Sequence, residues 1–243
     1  MKRGKWIGWL LVLVVTLGYG ITGKEILSKA DMWRAPSSSF ESRVQITSYQ
    51  DETKVEEVEL IVYVRDIEST MVEFMAPTSW KGKKMLMLKN DMWMIFPNAS
   101  KPVRITPAQR LMGEIAHGDI ARMNFAKDYD VLAVSEEKIN NMDCYKLELQ
   151  AKTMEGTTYY KIYYWVAKEN YMPVKGEFFS ASGRKLKEAL YGEPALLAGA
   201  VRISKVIIYD AIKESRYSVM KYLSMTEKKI PSSYYNLDYL LKK

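Results

Sequence analysis

The sequence predicts a mainly β, α+β fold: one domain on a single large, curved antiparallel sheet, with short helices covering the concave face. Three observations carry this. Strand signals rich in Val, Ile, Tyr and Met follow one another from residue 40 to residue 222 with one helical interruption. The runs alternate in polarity and are divided by short turn signals, the pattern of hairpins rather than of βαβ units. No shift of composition marks a second domain, and 243 residues with 48% apolar content suffice for one packed core.

The chain opens on Lys2, Arg3 and Lys5, and no further charge occurs before Lys24. Residues 6–17 are almost purely apolar, and Gly18-Tyr19-Gly20 places small residues where an export peptidase cuts. Residues 1–23 therefore read as a signal peptide of an exported protein. The alternative is an uncleaved membrane anchor over residues 6–23, a stretch of borderline spanning length. The remaining domain, 24–243, carries a net charge of +4 against +7 for the whole chain. That mild balance, with basic and acidic residues alternating along strands, argues against nucleic acid as a partner.

Residues 25–34 place Ile26, Leu27, Ala30 and Trp33 at helical spacing, and Pro36 with the serine run 37–39 ends the helix. Strands are expected at 40–49, 55–65, 70–75, 84–89, 92–96 and 103–105, the fourth and fifth joined by the Asn90-Asp91 turn. Residues 107–128 have a different texture, with Gly113 and Gly118 among spaced apolar residues, and predict one or two short helices. Strand signals resume at 129–134, 144–149, 157–166, 173–179, 185–191, 201–209 and 216–222. Several strands are apolar on both faces, among them Leu60 and Val62 beside Ile61 and Tyr63. Such strands need cover on two sides or line a cavity, and a sheet this long must curl. A greasy, partly covered hollow follows.

Catalytic chemistry is sparse. One His and one Cys exclude His-rich metal sites, thiolate cages and an internal disulfide. The Ser-x-x-Lys matches at Ser135 and Ser182 lack the companion elements that the pattern requires. His117 beside Asp119 reads as an ordinary loop histidine, and Asp128 with Asp130 lacks further oxygen ligands for a cation. Neither an enzyme nor a cofactor is expected. Between residues 81 and 110, seven basic residues face one acid, and Lys81, Lys83, Lys84 and Arg104 form a candidate basic rim for anionic headgroups or an acidic partner.

One order of motifs is informative: Met75-Ala76-Pro77, Lys81-Gly82-Lys83, Asp91 to Pro97 around Trp93, Pro102-Val103-Arg104-Ile105 and then Gly113. It resembles the outer-membrane lipoprotein-sorting protein family, a lipoprotein-carrier-like group of exported bacterial proteins. Tyr145-Lys146-Leu147-Glu148-Leu149 with Tyr159 to Trp165 resembles that family's central hairpin, and Ile230-Pro231 with Tyr235 to Leu240 its closing tail. The resemblance implies an unclosed β-barrel of about eleven strands with short helices over its hollow. It implies a periplasmic carrier that shields acyl chains of lipoproteins or lipids between envelope membranes. The alternative is an envelope sensor or adaptor that binds lipid or lipoprotein and regulates an inner-membrane transporter or signalling partner. A monomer is expected.

Burying an acyl chain of about fourteen methylenes gains roughly 11 kcal/mol before ordering costs, without any catalytic group. The expected lining is Phe74, Leu86, Trp93 and Ile95 on the sheet. Leu111, Met112, Ile115 and Met123 line it from the covering insertion, where Met suits varied chains.

Overall fold

The computed structural model describes residues 20–242, so residues 1–19 of the leader expected over 1–23 lie outside the described residues, while its last two residues, Thr22 and Gly23, open the first helix. The first helix, α1 (Gly23–Met32), starts at Thr22, whose hydroxyl accepts from Glu25 N–H while the Glu25 carboxylate accepts from Thr22 N–H at 2.8 Å. This reciprocal capping fixes the start two residues ahead of the spacing-based expectation. Six strands follow: β1 (Phe40–Gln50), β2 (Thr53–Asp66), β3 (Ser69–Ala76), β4 (Lys84–Leu88), β5 (Asp91–Ile95) and β6 (Val103–Ile105). The insertion holds a two-stranded hairpin, β7 (Arg110–Met112) and β8 (Ile115–Ala116), then α2 (His117–Ala121) and α3 (Phe125–Asp128). Seven further strands complete the sheet: β9 (Tyr129–Ile139), β10 (Met142–Ala151), β11 (Lys161–Ala167), β12 (Pro173–Phe179), β13 (Lys185–Leu197), β14 (Ala200–Asp210) and β15 (Arg216–Glu227). A 3-10 turn (Ser232–Tyr235) and α4 (Leu237–Leu241) form the tail.

Thirteen strands make one antiparallel sheet in the order β6-β5-β4-β3-β2-β1-β15-β14-β13-β12-β11-β10-β9. The sheet is curved and unclosed, as expected, with two more strands than the resemblance implied. Its two edges are β6 and β9, and the chain between them is the insertion. The segment that covers the hollow is therefore the link that bridges the open side of the barrel.

Alternation sorts the side chains. Val44, Ile46, Leu60, Val62, Val72 and Phe74 point inward and pack with Ile26, Leu27 and Ala30 of α1 and with Ile115 and Ile120 of the insertion. Their neighbours Tyr63, Met71, Leu86 and Ile95 point outward, and the tail buries them under Ile230, Tyr235 and Leu240. The Tyr235 hydroxyl donates to the Tyr63 carbonyl at 3.2 Å. Strands apolar on both faces are thus covered on both: helices inside, tail outside.

Most strands run a few residues beyond expectation, β9 on to Ile139 and β15 on to Glu227 among them, and three differences have a local cause. β13 runs on to Leu197 and β14 begins at Ala200, so their hairpin extends beyond its neighbours, turning at Gly199 with φ +72°. Residues 157–160 precede β11 instead of joining it, because Tyr159 turns into the inner core, where its hydroxyl meets Asp119 at 2.7 Å. The insertion adds a small hairpin to its helices, because Gly113 with φ +47° supplies its turn.

Candidate functional site

The hollow is closed by the insertion and α1, and polar contacts pin this cover at four places. At the β7–β8 turn, Glu114 N–H donates to the Ser218 hydroxyl at 3.0 Å, and Ser218 is 2.9 Å from the Ser48 hydroxyl on the sheet floor. In α2, Asp119 accepts from Ala116 N–H at 2.7 Å, from the Tyr159 hydroxyl and from Lys187 of β13, forming a buried ion pair. Arg122 grips both Asp128 carboxylate oxygens at 2.9 Å each and donates to the Lys89 carbonyl at 3.0 Å. At the seam of α1 and α3, Asp31 accepts from Ala126 N–H at 2.8 Å. Burial pushes the Asp31 carboxyl up to about 6, against the pull of Arg34 and of the Ala126 and Phe125 N–H groups.

Besides an open surface cleft between the start of α1 and β9, three spaces lie around this cover. A groove of about 230 Å³ opens at the C-terminal end of α1, between Met32, Phe40, Val64, Ile67, Met123 and Ala126. A central void of only about 20 Å³ lies deeper, under Arg34, Phe125, Phe178, Lys187, Tyr191 and Tyr222. A polar cleft of about 230 Å³ faces the opposite end, between Arg110, Glu114, Arg184 and Asp210. The void has room for about one water molecule. The groove is smaller than the roughly 300 Å³ at which ordinary ligand pockets begin. The hollow is therefore shut in this conformation.

The sequence-expected lining divides between two faces. Phe74, Leu111, Met112, Ile115 and Met123 are buried in the inner core. Leu86, Trp93 and Ile95 belong to the outer cluster beneath the tail, not to the hollow. The reason is the two-residue period: in β4 and β5 it is Met85, Met87, Met92 and Met94 that face inward. The four basic residues of the expected rim take different settings. Lys81 is exposed in a turn, and Lys83 lies 4.2 Å over the Trp80 ring. Lys84 alternates with the inward Met85, and Arg104 is paired with Asp91 at the sheet edge.

His117 is buried with its Nδ1 3.2 Å from the Thr106 carbonyl oxygen, and burial holds its imidazole below the usual value. Asp119 is committed to Lys187 and Tyr159, so it does not orient His117. Ser182 is exposed and bonds Ser180 at 2.9 Å. Among the described residues no cluster of three or more His, Cys, Asp or Glu side chains is placed to hold a metal ion.

Sequence reasoning missed Asp31, Arg34, Arg122 and Lys187. Two signals were present: a charge on the buried stripe of α1, four residues after Leu27, and Lys187 in the inward period of β13 with Ala189 and Tyr191.

A family model described as an uncharacterized protein matches residues 66–242. No curated protein matches the chain. Two solved structures share the fold at low identity. One is a DUF1329 family protein from Desulfovibrio piger, at 18% identity and TM-score 0.77, covering 90% of this chain and 97% of that one. The other is a putative outer membrane lipoprotein-sorting protein domain from Vibrio parahaemolyticus, at 17% identity and TM-score 0.76, covering 90% and 98%. A LolA superfamily protein from Nitrosomonas europaea is 35% identical with TM-score 0.85, over 90% of this chain and all of that one. With that identity over the whole unclosed barrel and its cover, the chain belongs to the LolA superfamily.

Proposed function

We propose that this protein is a periplasmic carrier that takes acyl chains of lipids or lipoproteins into the covered hollow and shields them between the envelope membranes. The observation that carries the reading is the construction of the cover. It bridges the two free edges of the barrel and is pinned to the sheet by a few polar contacts, while an apolar groove already runs beneath its α1–α3 seam. Lifting the insertion exposes an inner wall of Val, Ile, Leu, Met and Phe side chains, and each methylene placed there gains about 0.8 kcal/mol. Phe74, Leu111, Met112, Ile115 and Met123 are the proposed lining, joined by Phe40 and Val64 at the groove. Membership of the LolA superfamily and the basic, then apolar, composition of residues 1–23 support carriage outside the cytoplasm.

The test is native mass spectrometry of the protein purified from cells under mild conditions. Co-purifying acyl lipid is the expected result. Absence of lipid in every preparation, with no uptake from vesicles, overturns the reading.

A further inference from the structure

Arg34 is anomalous within the hollow. Its side chain is only 9% exposed, it lines the central void, and its Nη1 has no hydrogen-bond partner. Its nearest carboxylate is Asp31, whose Oδ2 accepts from Ala126 N–H and whose Oδ1, also without a hydrogen-bond partner, lies 3.7 Å from Nη1, beyond hydrogen-bond reach. Asp119 also lines the void but is committed to Lys187 and Tyr159. A guanidinium carries five donors in a rigid fork, and when buried it is ordinarily met by a bidentate acceptor. The other buried cations differ: Lys187 has Asp119 and the Glu114 carbonyl, Arg122 has Asp128 and the Lys89 carbonyl, and Arg202 has the Leu197 and Met32 carbonyls. Arg34 instead rests on the Phe125 ring, 4.0 Å from its centroid, with Tyr191 and Tyr222 across the void.

The apolar groove and this void lie on either side of one seam. Asp31 and Ala126 line the groove, while Arg34, one turn further along the chain from Asp31, and Phe125, next to Ala126, line the void. The Asp31–Ala126 bond closes the seam, so parting α3 from α1 joins the two spaces. The joined space has an apolar arm beside Phe40, Val64 and Met123 and, at its inner end, a cation with an unpartnered donor.

We propose that the hollow selects anionic single-headed amphiphiles: a carboxylate or phosphate monoester seated on Arg34, with its hydrocarbon chain in the groove. The acid supplies the close bidentate acceptor that Asp31, with one oxygen on Ala126 N–H and the other 3.7 Å from Nη1, does not. This rests on the carrier reading and narrows its ligand class.

The test compares binding of myristate, myristyl phosphate and myristyl alcohol to the delipidated protein by titration calorimetry. At least one of the two anions should bind about tenfold or more tightly than the alcohol, the scale of one charge-assisted hydrogen bond. The carboxylate and phosphate arms identify which head is preferred. Arg34→Met should erase the preference while alcohol binding changes by less than about threefold, and Arg34→Lys should keep part of it. Equal affinity of the unaltered protein for acid and alcohol overturns the headgroup proposal and leaves the carrier reading standing. Failure of all three chains to bind overturns both. If Arg34→Met does not fold, the comparison in the unaltered protein and the Arg34→Lys variant still decide.

Discussion

Gly113 and Asp31 show how single positions hold the cover in place. Gly113 adopts φ +47° directly above the sheet floor, where a Cβ would overlap the hydroxyl oxygens of Ser48 and Ser218. Gly113→Ala should cost about 2 kcal/mol or more, combining left-handed backbone strain with overpacking. Denaturant midpoints check the loss, and amide exchange should show it concentrated in the insertion. Asp31 makes a pH prediction. Its folded carboxyl holds a proton up to about pH 6, above the unfolded value, which corresponds to about 3 kcal/mol of preference for the neutral form. Between about pH 4 and 6 the folded state binds more protons than the unfolded chain. The Asp31 contribution to stability therefore rises as pH falls through 6 and levels off below 4. Asp31→Asn should flatten the stability profile of the unaltered protein across that window. Identical slopes in the two proteins would refute the assignment.

At the scale of elements, the tail and the insertion do opposite things. The tail packs on the outer face with a buried aromatic anchor, Tyr235, which also lies under the Arg65 guanidinium at 4.7 Å from its ring centroid. It reads as permanent cover. Tyr235→Ala should lose about 3 kcal/mol of stability, the usual cost of truncating a large buried aromatic side chain. Trp93→Ala, on the same face, should leave acyl-lipid occupancy unchanged, whereas Phe74→Ala on the inner face should lower it. Mass spectrometry of the two variants separates the faces; equal loss from both would contradict the division. The insertion is built differently, from a three-residue strand, a two-residue strand and helices of five and four residues. Elements this short have little stability of their own and depend on their anchors.

For the whole molecule, the unclosed barrel creates a graded stability. The long central strands β1, β2 and β15 pair along most of their length, while β6 has three residues and leaves one edge of the sheet short. Native-state hydrogen exchange should find residues 107–128 opening at lower free energy than β1, β2 and β15, in one cooperative unit. Bound amphiphile should raise protection in that segment most. Uniform protection across cover and sheet would mean that the cover does not open separately.

The strand pattern was legible because antiparallel hairpins write a two-residue period and turn residues into the chain. Residues 103–105 and 173–179 were placed at their observed bounds, and the unclosed, helix-covered form followed from strands apolar on both faces together with the family resemblance. The candidate site was less legible. Alternation tells which residues share a face but not which face turns inward, so Leu86, Trp93 and Ile95 were grouped with Phe74 although the tail claims them. Likewise Lys187 meets Asp119 across 68 residues, and Arg34 reaches the ring of Phe125 across the α1–α3 seam. Local sequence determined periods, turns and caps, because these depend on neighbours along the chain. Tertiary structure alone decided which face became the hollow and which buried cation kept a donor without a hydrogen-bond partner, because those depend on contacts between segments far apart in sequence.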